Sequence, residues 1–437
     1  MKKSKSLSVF LSLFLITVAL FSACSNEPAS VNEDNRSIIL ENDYTNKARN
    51  ELLIEDIEYF RTKLPEKHKN PFHNISKEKF NNSVDNLISK VDELTNKQVF
   101  VELNKIIASI GDAHTVTNYW DGFSYPLKFY CFNDGIYVID ADKSLGEILY
   151  AKVNKINGVD INIITEELRA LISYENEYWF KERLPAYLSS PVFMYGLGII
   201  SDEEKTTFEF ETVNKEIIKK EINICSYGEN PDYINLGNGN RNVYLFNREK
   251  EDYYWYKYLE EDKMVYFKYN VCDVMKGNLF VNFNYRMFNS IKNHDIEKFV
   301  IDLRHNSGGN SEVINPFLKS IADLASANPE MKIYIITGRA TFSSGVMAVL
   351  DINNKVDTTL IGECTGGSPN SYGDVGIFEL LNSKIPIQYS KKYFQLTNDN
   401  SVTITPDIII EPTIKDFIEN KDLVMDYILK EEKPYVL

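Results

Sequence analysis

Residues Phe299–Ser311 read FVIDLRHNSGGNS, and this segment is the most informative about the architecture. Its first five residues are mostly apolar and β-branched, which is typical of a strand buried on both faces of a sheet. Gly308 and Gly309 follow shortly afterwards, and paired glycines permit a turn whose backbone amides approach a ligand. The segment therefore predicts a buried strand that ends in a ligand-facing turn.

Strand and helix patterns alternate around this segment from Met264 onward, which is typical of an α/β fold. Strands are predicted at Lys298–Leu303, Lys332–Thr337 and Lys384–Leu396, and helices at Glu312–Ala325, from near Ser344, and at Ile414–Leu429.

A second informative segment is Arg339–Ala348, RATFSSGVMA, which follows a predicted strand and opens an apolar helix. Ser343 therefore lies at a strand–loop–helix junction, where its hydroxyl is exposed and the amide of Ser344 points into the same space. A nucleophile and an oxyanion donor need this arrangement. Serine is also a preferred helix N-cap, and the local pattern alone favours a simple cap.

A third segment, Leu360–Gly373, reads LIGECTGGSPNSYG and is another strand followed by a glycine-rich loop. The three segments in this order resemble the carboxyl-terminal processing (tail-specific) serine protease family, with its DLRxNxGG, TxS and GExTGG motifs. A closing PDI at Pro406–Ile408 is similar to the end of that family's core. The resemblance covers roughly residues 264–437 and implies a crotonase/ClpP-like α/β core that hydrolyses peptide bonds through an acyl-enzyme.

The family has two branches, which differ in the general base. The Ser/Lys branch places a lysine 25 residues beyond the nucleophile, but position 368 of this chain is serine. The tricorn-like branch takes a histidine from an earlier xDxHT segment, which Ile110–Thr115, IGDAHT, resembles. The resemblance thus implies Ser343 as nucleophile and His114 as base, and an imidazole with an ordinary pKa of about 6.5 suits that role.

The resemblance also implies the remaining groups of the site. The oxyanion donors would be the amide of Ser344 and that of Gly308 or Gly309. The tricorn-like branch has a serine directly before its histidine and a late glutamate, but position 113 is alanine and the late segment lacks a glutamate. Asp399 is the nearest acid and is our hypothesis for the group that orients His114.

The chain has four histidines besides His114. His305, beside the glycine turn, is its rival for the role of base, whereas His68 and His73 flank Pro71 in what reads as a polar loop.

The region before the core has two textures, so we expect a multi-domain protein. Residues 46–118 show three-to-four apolar spacing and predict a helical domain. Residues 119–228 read as short strands, and Ile148–Ile172 resembles a PDZ core, although a generic hairpin followed by a helix fits too. Residues 229–263 would connect this domain to the catalytic domain, 264–437.

The first 45 residues predict export. Three lysines precede an uncharged apolar run, Leu7–Phe21, whose length suits a signal peptide rather than a membrane span. Residues 1–23 end before Cys24 in a segment that resembles a bacterial lipobox, and residues 24–45 read as a polar tether. We therefore expect a protein held at the outer face of the cell membrane by lipid on Cys24, although simple secretion remains an alternative.

Composition narrows the possible partners. The net charge of −15 falls to −18 once the three lysines of the signal peptide are removed, and such a charge repels nucleic acid. The remaining cysteines form no metal-binding pattern, and we expect buried free thiols, no metal and no cofactor. The expected partner is a protein or peptide substrate; the oligomeric state is not predicted. The alternatives are a catalytically inactive lipoprotein that binds peptides or lipophiles on the same scaffold, and a crotonase-type acyl-transfer enzyme, against which the export signal argues.

We predict that the protein isolated from its cell partitions into the detergent phase of a Triton X-114 separation and that Cys24→Ser moves it to the aqueous phase, because lipidation requires the thiol. Identical partitioning of the two forms would contradict a lipid anchor and favour simple secretion.

Overall fold

The computed structural model describes residues 46–117, 122–226, 229, 231–234 and 252–430. The predicted signal peptide, Cys24 and the tether lie outside the described residues. No helix within the described part of the chain is both long and apolar enough to cross a membrane.

Three helices begin the described chain, as the apolar spacing predicts. They are α1 Asn46–Lys67, α2 Lys77–Ile88 and α3 Asn96–Ala108. The hydroxyls of Ser76 and Thr95 cap α2 and α3 by accepting backbone N–H groups, which fixes where these helices begin. Their apolar faces pack into one core with the β domain that follows.

Short strands and helices follow over the next hundred residues. They are β1 Val116–Thr117, β2 Phe123–Ser124, β3 Leu127–Phe132, β4 Gly135–Ala141, β5 Lys152–Ile156, β6 Val159–Asp160, α4 Ile161–Arg169, α5 Glu177–Leu188, α6 Pro191–Gly196, β7 Lys205–Glu211, β8 Ile217–Asn223 and β9 Cys225–Ser226, with a 3-10 turn at Lys143–Ile148. Strands β3, β4, β5, β7 and β8 form an antiparallel sheet in that order. Asn157 and Gly158, both with positive φ, make the tight turn between β5 and β6.

The carboxyl-terminal part is an α/β layer structure, so the predicted mixed α/β class is confirmed for the described residues. Its elements are β10 Tyr254–Leu259, β11 Met264–Tyr269, α7 Phe280–Ile291, β12 Lys298–Asp302, α8 Asn315–Ala327, β13 Lys332–Thr337, α9 Ser344–Asn353, β14 Thr359–Gly362, β15 Asn370–Glu379, β16 Pro386–Gln395, β17 Ile408–Ile409, α10 Ile414–Ile418 and α11 Leu423–Lys430, with 3-10 turns at Glu260–Asp262 and Ser311–Ile314. The central sheet has the order β10-β11-β12-β13-β14-β17 and is parallel from β11 onward. Apolar cores cover both of its faces, which explains the unbroken apolar strands of the sequence.

Two details differ from the sequence prediction. The closing helix expected over Ile414–Leu429 is divided into α10 and α11, because Asn420 takes a left-handed φ of 55° that a helix cannot contain. The four described cysteines are free, as expected, but Cys225 is only partly buried.

The long hairpin β15–β16 connects the two halves of the molecule. Strand β16 pairs with β1, directly after the IGDAHT segment, with Val116 opposite Gln388. The hairpin turn is held by Asp56 of α1, whose carboxylate accepts the backbone N–H groups of Asn382 and Ser383. This hairpin therefore holds the segment that contains His114 at the edge of the parallel sheet.

Candidate active site

Ser343 occupies the turn between β13 and α9, as the sequence predicts. Its backbone has φ 50° and ψ −124°, a sparsely populated conformation for a non-glycine residue, and its hydroxyl makes no capping hydrogen bond. The simple N-cap interpretation is therefore wrong. The hydroxyl instead lies 3.0 Å from Nε2 of His114, 229 residues away in sequence.

Close glycine contacts enforce this turn. A Cβ atom on Gly308 would lie 2.8 Å from Cβ of Ser343, and one on Gly367 would lie 3.0 Å from the backbone nitrogen of Ser343. A Cβ atom on Gly345 would lie 2.3 Å from the carbonyl oxygen of Asn306. The glycines of the three sequence segments thus permit three loops to pack against one another around Ser343.

Hydrogen bonds join the same loops. The hydroxyl of Thr341 donates to the carbonyl of Leu303 at 2.9 Å, and the amide of Gly367 donates to the carbonyl of Thr341 at 3.0 Å. The hydroxyl of Ser344 donates to the carbonyl of Gly309 at 2.6 Å. Ser343 is therefore placed by a buried and nearly rigid set of contacts.

His114 is held on several sides. Its backbone N–H donates to Oδ1 of Asp112 at 2.9 Å, and its carbonyl accepts the side-chain amide of the buried Gln388 at 2.8 Å. The imidazole packs on Phe342 with ring centroids 4.5 Å apart, and Phe342 stacks on Trp179 at 3.9 Å. The ring is only 6% exposed, so its orientation depends on these neighbours.

Asp112 is the carboxylate closest to the imidazole, with Oδ1 3.9 Å from Nδ1 of His114. Its other oxygen accepts Nε2–H of His68 at 2.9 Å and the hydroxyl of Thr115 at 2.5 Å. The amide of Asn70 donates to Nδ1 of His68, which assigns the proton of that ring to Nε2. Burial opposes ionisation of Asp112, but the bond from His68 and the charge of His114 outweigh it and lower the pKa of Asp112 to about 2.

The pKa of His114 itself is lowered below its ordinary 6.5, because burial disfavours the imidazolium more than the charge of Asp112 favours it. The ring is therefore neutral near pH 7. Nδ1 is buried and has no hydrogen-bond partner among the described residues.

Glu175 is a site residue that the sequence analysis missed. One oxygen of Glu175, one of Asp112 and a ring nitrogen of His114 lie within 4.8 Å of one another. These three residues are the one group of the described chain with the spacing of a metal site. Both oxygens of Asp112 accept hydrogen bonds and Nε2 of His114 faces Ser343, whereas Nδ1 of His114 and Oε2 of Glu175 have no hydrogen-bond partner among the described residues.

The other sequence candidates lie as follows. Asp399 is exposed and accepts hydrogen bonds from Thr397 and Ser401; no contact between it and His114 occurs among the described residues. His305 lies 3.3 Å from Nζ of the buried Lys268, not beside Ser343. His68, expected in a polar loop, is buried against Asp112 because α1 ends directly before it.

The two glycine candidates for an oxyanion donor differ. The amide of Gly308 donates to Oδ1 of Asn306 at 2.9 Å and is therefore occupied. Gly309 pairs with Cys272 through a parallel bridge, in which the carbonyl of Cys272 is taken by the amide of Asn310 and not by that of Gly309. A serine hydroxyl on a neutral imidazole beside a helix amino terminus can perform nucleophilic attack on a carbonyl carbon.

The sequence matches no protein-family model and no curated protein. Among solved structures, mature CPAF is 11% identical, with a TM-score of 0.61 over 87% of this chain and 97% of that chain. A serine-to-alanine mutant of CPAF is 10% identical, with a TM-score of 0.62 over 89% of this chain and 99% of that chain. At these identities, the likeness shows a shared fold. The neighbours also include the photosystem II D1 C-terminal processing protease, 9% identical with a TM-score of 0.36 over 86% of this chain and 98% of that chain.

Gly308→Ala should slow the labelling of Ser343 by a fluorophosphonate probe by about 10²-fold or more, because the new methyl group displaces Ser343 and the backbone amide of Ser344. Labelling rates of the purified variants are the measurement. Gly158→Ala is the matched control: Gly158 also has positive φ (82° against 112°), but no atom lies within 4 Å of its added methyl group. Equal labelling rates in the two variants would contradict the steric role of Gly308.

Proposed function

We propose that this protein is a serine-type endopeptidase of the tail-specific type, in the His-dependent, tricorn-like branch. The observation that carries the proposal is the 3.0 Å contact between Oγ of the strained Ser343 and Nε2 of His114. The shared fold with CPAF and the glycine loops around the nucleophile support it.

In the proposed reaction, Oγ of Ser343 attacks the carbonyl carbon of a peptide bond while its proton moves to Nε2 of His114. The C–N bond then breaks, His114 returns the proton to the leaving amine, and an acyl-enzyme remains. Water attacks this ester with the same histidine as base, and the product acid leaves as Ser343 regains its proton. Every proton is handled by protein side chains and water, so the mechanism requires no cofactor.

The oxyanion of the tetrahedral intermediate would be stabilised by the amides of Ser344 and Gly309. Ser344 supports this role because it is the first residue of α9, where helix N–H groups lack intrahelical partners. Gly309 is preferred to Gly308, whose amide is bonded to Asn306. The hydroxyl of Ser344 donates to the carbonyl of Gly309, so the two residues that carry the proposed donors are in direct contact.

The site would act on proteins or peptides at the outer face of the cell membrane. The lipobox-like Cys24 and the polar tether after it support this location. The net charge of −15 makes a nucleic-acid substrate unfavourable. The catalytically inactive, ligand-binding alternative is tested by the same experiments as the peptidase.

Ser343→Ala should abolish hydrolysis of a denatured protein substrate and leave the thermal melt within a few degrees, because the loss of one hydroxyl opens no large cavity. A fluorophosphonate adduct mapped by mass spectrometry should lie on Ser343 in the parent protein. Ser368→Ala is the control, since that hydroxyl donates to the backbone carbonyls of Asn370 at 2.9 Å and Ser401 at 3.4 Å and not to His114. An adduct on Ser344 or Ser368 would refute the nucleophile, and no adduct with no hydrolysis would favour the ligand-binding alternative.

His114→Ala should lower kcat/KM by about 10²- to 10⁴-fold, because no base remains to take the serine proton. Activity of the parent should fall as the pH is lowered, since a protonated imidazole accepts nothing. Lys384→Ala, Lys391→Ala and Lys392→Ala should keep most activity, because these lysines are exposed, Lys391 by 44% and Lys392 by 64% at the side chain. Full activity in His114→Ala with inactivity in one lysine variant would return the protein to a Ser/Lys mechanism.

A further inference from the structure

Two buried polar atoms at the site lack hydrogen-bond partners among the described residues. They are Nδ1 of His114 and Oε2 of Glu175. An unpaired buried polar atom lowers the stability of the fold by about 1–3 kcal/mol. A hydrogen bond between the two groups would satisfy both atoms. The ligating atoms of these two residues and Asp112 lie within 4.8 Å of one another.

We propose that Glu175 is the positioning residue that accepts Nδ1–H of His114 and so directs the lone pair of Nε2 toward Ser343. The inference rests on the proposed function. It assigns to a loop before α5 the role that the sequence analysis gave to Asp399.

The backbone of Glu175 is rigidly held. Its neighbour Asn176 caps α5 by accepting the amides of Tyr178 and Trp179, both at 2.9 Å. The side-chain amide of Asn176 donates to the carbonyls of Gly366 at 2.9 Å and Val402 at 2.7 Å. Because these contacts hold the backbone next to Glu175, the Glu175 side chain can define the orientation of His114.

The loop is also tied to the histidine segment itself. The hydroxyl of Ser173 donates to the carbonyl of Thr115 at 2.7 Å. The backbone amides of Ala113, on the histidine segment, and of Ser368, on the glycine-rich loop, both lower the pKa of Glu175, so its carboxyl lies near both segments. Glu175 thus lies where the three segments of the site meet.

The position of the proton on the Glu175–His114 pair determines whether His114 can act as a base. When Glu175 is ionised, it accepts Nδ1–H, and Nε2 is free to take the serine proton. When the pair holds one more proton, either a neutral Glu175 donates to Nδ1 and hydrogen moves to Nε2, or the imidazole is fully protonated. Nε2 carries hydrogen in both arrangements, so His114 cannot act as base.

Burial, and then the negative charge of Asp112, raise the pKa of Glu175 to about 8, against the two backbone amides, which lower it. The pair therefore loses its inhibiting proton as the pH rises through about 8, whereas His114 alone would lose it below 6.5. The charged and titratable groups near the pair are Asp112, whose charge acts on both members, His68, which bonds to Asp112, and Tyr372 on β15, which interacts with Asp112.

The test compares kcat/KM against pH in the parent protein, Glu175→Gln and Glu177→Gln. Glu177 is the matched control, because it lies two residues away on the same segment, is exposed and pairs with Arg169 at 2.7 Å. The parent and Glu177→Gln should show an ascending limb near pH 8. Glu175→Gln should shift this limb below 6.5 and lower the plateau of kcat by about 10²-fold or more, with KM little changed. Asp399→Asn should behave as the parent.

A second readout does not depend on activity. In ¹⁵N-histidine spectra, the His114 ring of the parent should carry its proton on Nδ1 above pH 8, and Glu175→Gln should change this tautomer balance. If the parent neither hydrolyses protein nor reacts with the probe, the proposed function fails while the spectra still test the pairing. The positioning role is refuted if the parent is active and Glu175→Gln does not differ from the control Glu177→Gln. The three quantities compared are the pH of the ascending limb, kcat and the tautomer balance of His114.

Discussion

The site depends on the contact between the glycine turn after β12 and the serine turn before α9. Gly308 lies so close to Ser343 that even a methyl group would overlap it, at 2.8 Å. Such an approach is possible only because both turns leave adjacent parallel strands at the same edge of the sheet, β12 beside β13. Side chains in this region are packed closely enough to keep Ser343 in a conformation that costs about 1–3 kcal/mol in isolation. The strain exposes the hydroxyl and aligns the amide of Ser344 with it.

The second half of the site comes from a different part of the chain. The IGDAHT segment follows a helical region and reaches Ser343 because β16, from the carboxyl-terminal half, adds to β1 and holds the carbonyl of His114 through Gln388. A contact between residues 229 positions apart in sequence costs far more chain entropy than a local contact does. The interlocked hairpin, with its turn fixed on Asp56 of α1, provides the packing that offsets this loss.

The two buried carboxyl groups of the site, Asp112 and Glu175, have different surroundings. Asp112 is stabilised as a carboxylate by His68 and Thr115 and binds the backbone of His114, so its main task is to hold the segment. Glu175, beside it, is raised in pKa to about 8 by burial and by the negative charge of Asp112. Two acids a few ångströms apart thereby acquire different pKa values, which is the arrangement that separates a structural group from one coupled to proton transfer.

The sequence by itself determined the α/β class, the buried strands around Phe299–Ser311 and the start of a helix at Ser344, because apolar periodicity and glycine turns are local signals. It also indicated Ser343 and His114 as a pair, through a resemblance that spans two distant segments. The groups around His114 were decided only by the tertiary structure. His68 and Gln388 have no sequence motif, and Glu175 lies in a loop with no distinctive pattern, so nothing local marks them as neighbours of the imidazole. Asp399 was chosen for its place in the chain, yet it faces solvent, because the environment of a carboxylate is set by which loops fold over it and not by its distance in sequence.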